Sequence, residues 1–87
     1  MSLEFLNDAR NYDAARQSIS FWGHDKTVEV TFRVDFTALK RFAGIDTLTE
    51  AIALKGFDKN IEHVRDVAKK AYQRSPKRYL ELSLADM

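Results

Sequence analysis

The stretch QSISFWGHDKTVEVTFRV, Gln17 to Val34, decides the fold, because its apolar residues recur every second position and not every third or fourth. QSISF sets Ile19 and Phe21 on one side, and TVEVTFRV sets Val28, Val30, Phe32 and Val34 on one side. β-Branched and aromatic residues favour a pleated, half-buried surface, so two strands are expected. Gly23, His24, Asp25 and Lys26 stand between them as a short polar link of the composition that reverses antiparallel strands. The stretch reads as a β-hairpin over 17–34, with Ser18, Ser20, Trp22, Thr31 and Arg33 on the face away from the core.

Downstream, the period changes to helical. Asp35 caps a helix that buries Phe36, Leu39, Phe42 and Ala43 and stops at Gly44. Asp46 or Thr47 then opens a second, in which Leu48, Ile52 and Phe57 face the core and Gly56 ends the run. Asp58 opens the strongest helix, whose Ile61, Val64, Val67, Ala68, Ala71 and Tyr72 share one face at spacings of three and four. Ser75 and Pro76 end it, since proline lacks the N–H a helix needs. A last strand over 78–84 alternates Leu80, Leu82 and Leu84 against Tyr79, Glu81 and Ser83, and LEFL near the N-terminus offers a short fourth. The expected fold is α+β: a small, mostly antiparallel sheet of three or four strands with two or three helices on one face, in one domain over 1–87.

Composition excludes several classes of function. The 87 residues include no cysteine, which removes disulfides, zinc thiolates and thiol nucleophiles. A net charge of +1 is far from the balance of a dedicated nucleic-acid binder. No apolar run reaches signal-peptide or membrane-span length, so a soluble, cytoplasmic protein without a membrane partner is expected.

The opening FLNDARNYDAARQSISF carries Phe5, Asp8, Arg10, Tyr12, Asp13 and Arg16 into a strand. With the DFTALKRFAG helix, the F-D-K-N-I start of the long helix and the terminal LSLADM, this layout resembles a bacterial family of short proteins, domain of unknown function 1488. The resemblance spans essentially the full length. It implies a small, stand-alone cytoplasmic protein and supplies no activity, catalytic residue or cofactor.

The candidate sites follow from what chemistry needs. His24 and Asp25 adjoin, but catalysis or metal binding requires several groups converging on a point, and neighbours on a turn diverge; both read as solvated turn residues. Glu62, His63 and Asp66 lie on the outer face of the long helix without the HExxH order, and Ser75 has no local base. No catalytic, cofactor or metal site is therefore expected, and the chain reads as a non-enzyme. The cations Lys69, Lys70, Arg74, Lys77 and Arg78 form a candidate phosphate-binding set, although they surround the helix instead of lining it, and Asp66 can pair with Lys69 or Lys70. Trp22, Arg33 and, from the final strand, Tyr79 form the other candidate, since an aromatic pair and an arginine on an open sheet face can anchor a protein partner or another copy. Alternatively, residues 7–16 fold over that face and Trp22 packs beneath them. The expectation is a non-enzymatic protein-interaction module, with a nucleic-acid-associated regulator as the alternative.

Overall fold

In the computed structural model, which describes residues 3–83 and residue 86, the hairpin stretch forms the two longest strands of a five-stranded sheet. The elements run β1 (Leu3–Glu4), β2 (Arg10–Asp13), β3 (Ser18–Asp25), β4 (Val28–Asp35), α1 (Phe36–Ala43), α2 (Glu50–Lys59), α3 (Ile61–Arg74) and β5 (Tyr79–Leu82). β3 and β4 pair antiparallel from Ser18↔Asp35 to Asp25↔Val28, and β5 adds parallel to β4, with Phe32 opposite Leu80 and Val34 opposite Leu82. A parallel partner needs a long crossover, which the three helices supply.

Alternation puts Ile19, Phe21, Val30, Phe32, Val34 and Leu82 on one face, where they form one buried cluster with Ala38, Leu39, Ala53, Phe57 and the apolar stripe of α3. The Phe21 and Phe32 rings stack at 5.3 Å in its centre. All three helices thus pack on one side of the sheet. The α3 stripe is the expected one: Val64, Val67, Ala68, Ala71 and Tyr72 are buried and Ile61 is half-buried. α1 likewise starts at Asp35, whose Oδ1 accepts the Ala38 N–H at 2.8 Å, and stops at Gly44 with φ 67.

Four local features differ from the sequence reading. The reversal falls on Lys26 and Thr27, with Lys26 at φ 59, so Gly23, His24 and Asp25 lie inside β3. Gly23 makes room for neighbours and does not turn the chain: a Cβ there would lie 3.0 Å from Leu3 Cδ1 and 3.1 Å from the Phe5 ring. α2 is capped by Thr49, not by Asp46 or Thr47, and continues through Gly56 and Asp58 to Lys59. Gly56 again answers a close approach, its would-be Cβ falling 2.7 Å from Ile45 Cδ1. Phe57 is buried as expected, but Ala53 takes the inward position beside it and Ile52 is left 43% exposed.

Within residues 7–16, Arg10–Asp13 becomes an edge strand, from Arg10↔Phe21 to Asp13↔Ser18, which lies beside β3, while Asn7 to Arg10 line a cavity together with Trp22. Finally, β5 spans Tyr79–Leu82; Leu84, expected in the same strand, lies outside the described residues.

Two substitutions test the core, the second at the position where it departs from expectation. Phe32→Ala removes a fully buried ring and should cost about 3–5 kcal/mol in urea unfolding. Ile52→Ala, at an exposed position, should stay within about 0.5 kcal/mol of wild type. A large loss at Ile52 would contradict the α2 orientation.

Candidate functional site

The sheet has a second face, and register places its residues in rows. Trp22, Thr31 and Tyr79 form one row; Asn11, Ser20, Arg33 and Glu81 form the next; Asp13, Ser18 and Asp35 form the third. Among the described residues no helix packs here, since the buried residues of α1, α2 and α3 all join the cluster on the other side. Trp22 is half-buried, and Tyr79 is 42% exposed. The Arg33 guanidinium lies over the Tyr79 ring, 5.1 Å from its centroid, which joins two of the three residues picked from the sequence. Lost hydration raises the Tyr79 phenol above its ordinary value, against the opposing pull of the Arg33 charge. Trp22 stands in the same row as Tyr79 with Thr31 between them, so all three residues belong to one surface.

Trp22 also borders a cavity of about 400 Å³ at the edge of the sheet. β1 pairs with the end of β3 at Asp25 and His24, and β2 pairs with its beginning up to Phe21. Five residues, Phe5 to Ala9, therefore stand opposite only Trp22 and Gly23 and arch away from the edge as a strap. Two arginines hold the strap to the helices. Arg10 grips the Asp58 carboxylate in a fork, Nε–Oδ1 at 2.8 Å and Nη2–Oδ2 at 2.9 Å, while Arg65 reaches Asp8 Oδ1 at 3.0 Å and the Asn7 carbonyl at 3.2 Å. The Arg65 guanidinium also sits 5.2 Å above the Phe5 ring. Arg65, although it stands on α3 between Glu62 and Asp66, is thus committed to the strap. These pairings join residues about fifty positions apart, which no local spacing announces.

The remaining candidates disperse. His24 and Asp25 project to opposite faces: Asp25 Oδ2 accepts the buried Tyr72 hydroxyl at 2.8 Å on the core side, and His24 Nε2 lies 3.8 Å from Glu29 Oε2 on the other. Neither is a solvated turn residue; both are strand residues, and both are partly buried. His63 is exposed, with its ring 5.9 Å from Phe42. Asp66 pairs with Lys70 at 3.1 Å, and Arg74 pairs with Asp86 at 3.2 Å, so two of the five proposed phosphate ligands carry a carboxylate; Lys69, Lys77 and Arg78 are exposed. Among the described residues no three His, Asp or Glu side chains gather as a metal site would require, and no helix is long and apolar enough to cross a membrane.

The Asp25 contact raises the Tyr72 phenol, first through the hydrogen bond, then through burial and the carboxylate's charge. Because the folded value exceeds the ordinary 10.0, this contact contributes stability that is complete below pH 10 and lost as pH climbs through the raised value. Urea midpoints measured on either side of pH 10 should fall more in wild type than in Tyr72→Phe. Equal falls would show that the pair is not formed.

Comparison with known proteins adds family and fold. The family described as "Protein of unknown function (DUF1488)" matches residues 3–82. Against curated proteins the chain has no significant match. Among solved structures it is similar to the crystal structure of a protein of unknown function of the same family from Shewanella loihica PV-4, with a TM-score of 0.82 at 14% identity over 93% of this chain and 91% of that one. At that identity the likeness concerns the fold alone.

Proposed function

For a chain that belongs to the DUF1488 family, which brings no activity with it, we propose a non-enzymatic interaction module that binds a protein partner or a second copy of itself through Trp22, Arg33 and Tyr79. The observation that carries this reading is the sheet face opposite the helices, on which a tryptophan and a tyrosine stay partly accessible in one row beside an arginine stacked on the tyrosine. Tryptophan, tyrosine and arginine supply large contact area and planar charge, and they dominate the binding energy of protein interfaces. β5 ends the sheet next to this face, so a partner reaching Tyr79 also meets a strand edge that is unpaired among the described residues. The titratable groups favour a non-enzymatic role: His24 and Asp25 diverge across the sheet, and Asp25, Asp58, Asp8 and Asp66 each serve a structural partner.

The alternative, a nucleic-acid-associated regulator using Lys69, Lys70, Arg74, Lys77 and Arg78, has less behind it. Lys70 and Arg74 are paired, and Lys69 and Lys77 line different cavities. Binding of that kind would weaken steeply with added salt, whereas contact through the aromatic row would not.

Immobilised wild type, Trp22→Ala, Tyr79→Ala and Lys69→Ala compared in capture from lysate, with sedimentation to detect self-association, would test the proposal. Wild type and Lys69→Ala should retain the same partner or the same dimer, and the two aromatic variants should lose it by about tenfold or more, as expected for truncating an interface anchor. Trp22 is the single tryptophan, so its emission should shift on binding. Identical capture by wild type and Trp22→Ala would remove this face from the function.

A further inference from the structure

We propose that the exposed edge of β5 pairs with β5 of a second copy, antiparallel about a two-fold axis at Leu80, so that two five-stranded sheets join into one. This names the partner and the contact of the docking role given to Arg33 and Tyr79, and it rests on that reading.

β5 is an end strand of the sheet, paired with β4 alone among the described residues. One hydrogen bond shows which of its backbone groups are spent: the Thr31 N–H donates to the Arg78 carbonyl at 2.8 Å, so Arg78 turns toward β4. Successive residues of a strand direct their backbone groups to alternate sides, so Leu80 and Leu82 face β4 as well, while Tyr79 and Glu81 present N–H and C=O outward. Among the described residues neither has a backbone partner on that side. Such a row of unmatched groups is a template for another strand. At the opposite edge, β1 has only two residues, and β2 is tied to α2 through Arg10 and Asp58.

The charges along β5 select a second copy running the other way. Lys77 and Arg78 precede the strand, Glu81 stands near its end, and the Asp86 carboxylate lies just beyond, held by the Ser83 N–H at 2.9 Å. A parallel copy would set cations beside cations, whereas an antiparallel copy sets the basic end of each strand beside the acidic end of the other. Outward residues must meet outward residues, which leaves registers centred on Tyr79, Leu80 or Glu81. Centring on Glu81 opposes two carboxylates, and centring on Tyr79 opposes Leu80 with Arg78. With Leu80 at the axis, the two Leu80 side chains meet and Tyr79 of each copy exchanges both backbone hydrogen bonds with Glu81 of the other. Lys77 then lies diagonal to that same Glu81. Arg33, whose Nε is buried without a partner, stands opposite Glu81 in its own chain and over the Tyr79 ring, so its charge offsets the carboxylates gathered near the axis. On the helix side, a cavity of about 500 Å³ lined by Ala71, Arg74, Lys77 and Leu80 leaves room beside the edge.

The chain has no cysteine, so single-cysteine variants read the register directly. Leu80→Cys should form a disulfide-linked dimer under oxidised glutathione, because opposed residues of a non-hydrogen-bonded pair lie about 4.5 Å apart between Cα atoms, within disulfide reach; Tyr79→Cys and Glu81→Cys should link about tenfold more slowly. In wild type, hydrogen exchange of the Tyr79 and Glu81 amides should slow about tenfold as the protein is concentrated into the dimer, while the Leu80 amide, already turned to β4, stays unchanged. Glu81→Pro removes an outward N–H without touching the β4 ladder and should weaken the dimer about tenfold in sedimentation. If that variant does not fold, the exchange and cross-linking arms still decide. Exchange at Tyr79 and Glu81 that ignores concentration, cross-linking at Tyr79→Cys or Glu81→Cys in place of Leu80→Cys, or a folded Glu81→Pro that dimerises like wild type would overturn the pairing. Trp22 lies two strands in from the edge, so Trp22→Ala separates this inference from the wider reading. A dimer kept in Trp22→Ala and lost in Glu81→Pro supports edge pairing and removes Trp22 from it; the reverse overturns edge pairing and leaves docking on the face. A chain that stays monomeric overturns edge pairing and leaves the face to a different protein.

Discussion

The structure depends on the pairing of β3 with β4, eight residues opposite eight, in a register that keeps every second side chain on one face. A slip of β3 by one residue would turn Ile19 and Phe21 away from the face that Phe32 and Val34 keep. The stacked Phe21 and Phe32 rings lock that register from the inside, because directly opposed aromatic residues lose their contact on any displacement. Once it holds, the helices have a single apolar surface to cover. The other face is left with serines, a threonine, an arginine, a tryptophan and a tyrosine, which that division of faces sets opposite the helices.

The second constraint is the length of β3. It is too long for either N-terminal strand to pair along all of it, and the chain answers with two short strands and an arched strap between them. Pairing is given up opposite Trp22 and Gly23, and side-chain contacts replace it: the Phe5 ring turns in toward Phe21 and Phe32, and Arg10 and Arg65 tie the strap to α2 and α3. A forked arginine–carboxylate pair has the directionality to hold a backbone segment in place where ladder hydrogen bonds are missing. The glycine at position 23 belongs to this arrangement, since it gives Leu3 and Phe5 the space to pass over the strand.

Both glycines misread from the sequence fail for the same reason. Gly23 and Gly56 look like punctuation, and each is instead a place where another segment comes close, the strap in one case and Ile45 in the other. Only Gly44, with its left-handed φ, is the stop that its position suggests. The reading of Ile52 as a core residue followed from starting α2 too early; once Thr49 takes the cap, the same helical period turns Ala53 inward beside the expected Phe57. By contrast, the α3 stripe and the alternation of the hairpin were legible because each is long and depends on one repeated spacing.

Of the candidate surface, Trp22, Arg33 and Tyr79 were readable from alternation, because strand parity assigns a face without knowledge of any partner. The strap and the Arg10–Asp58 and Arg65–Asp8 pairs were not, since they join segments remote in sequence through side chains of no distinctive pattern. The sequence by itself determined the period of each element and hence which face of each is apolar. The tertiary structure alone decided which strands become neighbours, where the chain arches away from the sheet and which polar groups are buried without partners, because those outcomes depend on three-dimensional proximity that no local spacing encodes.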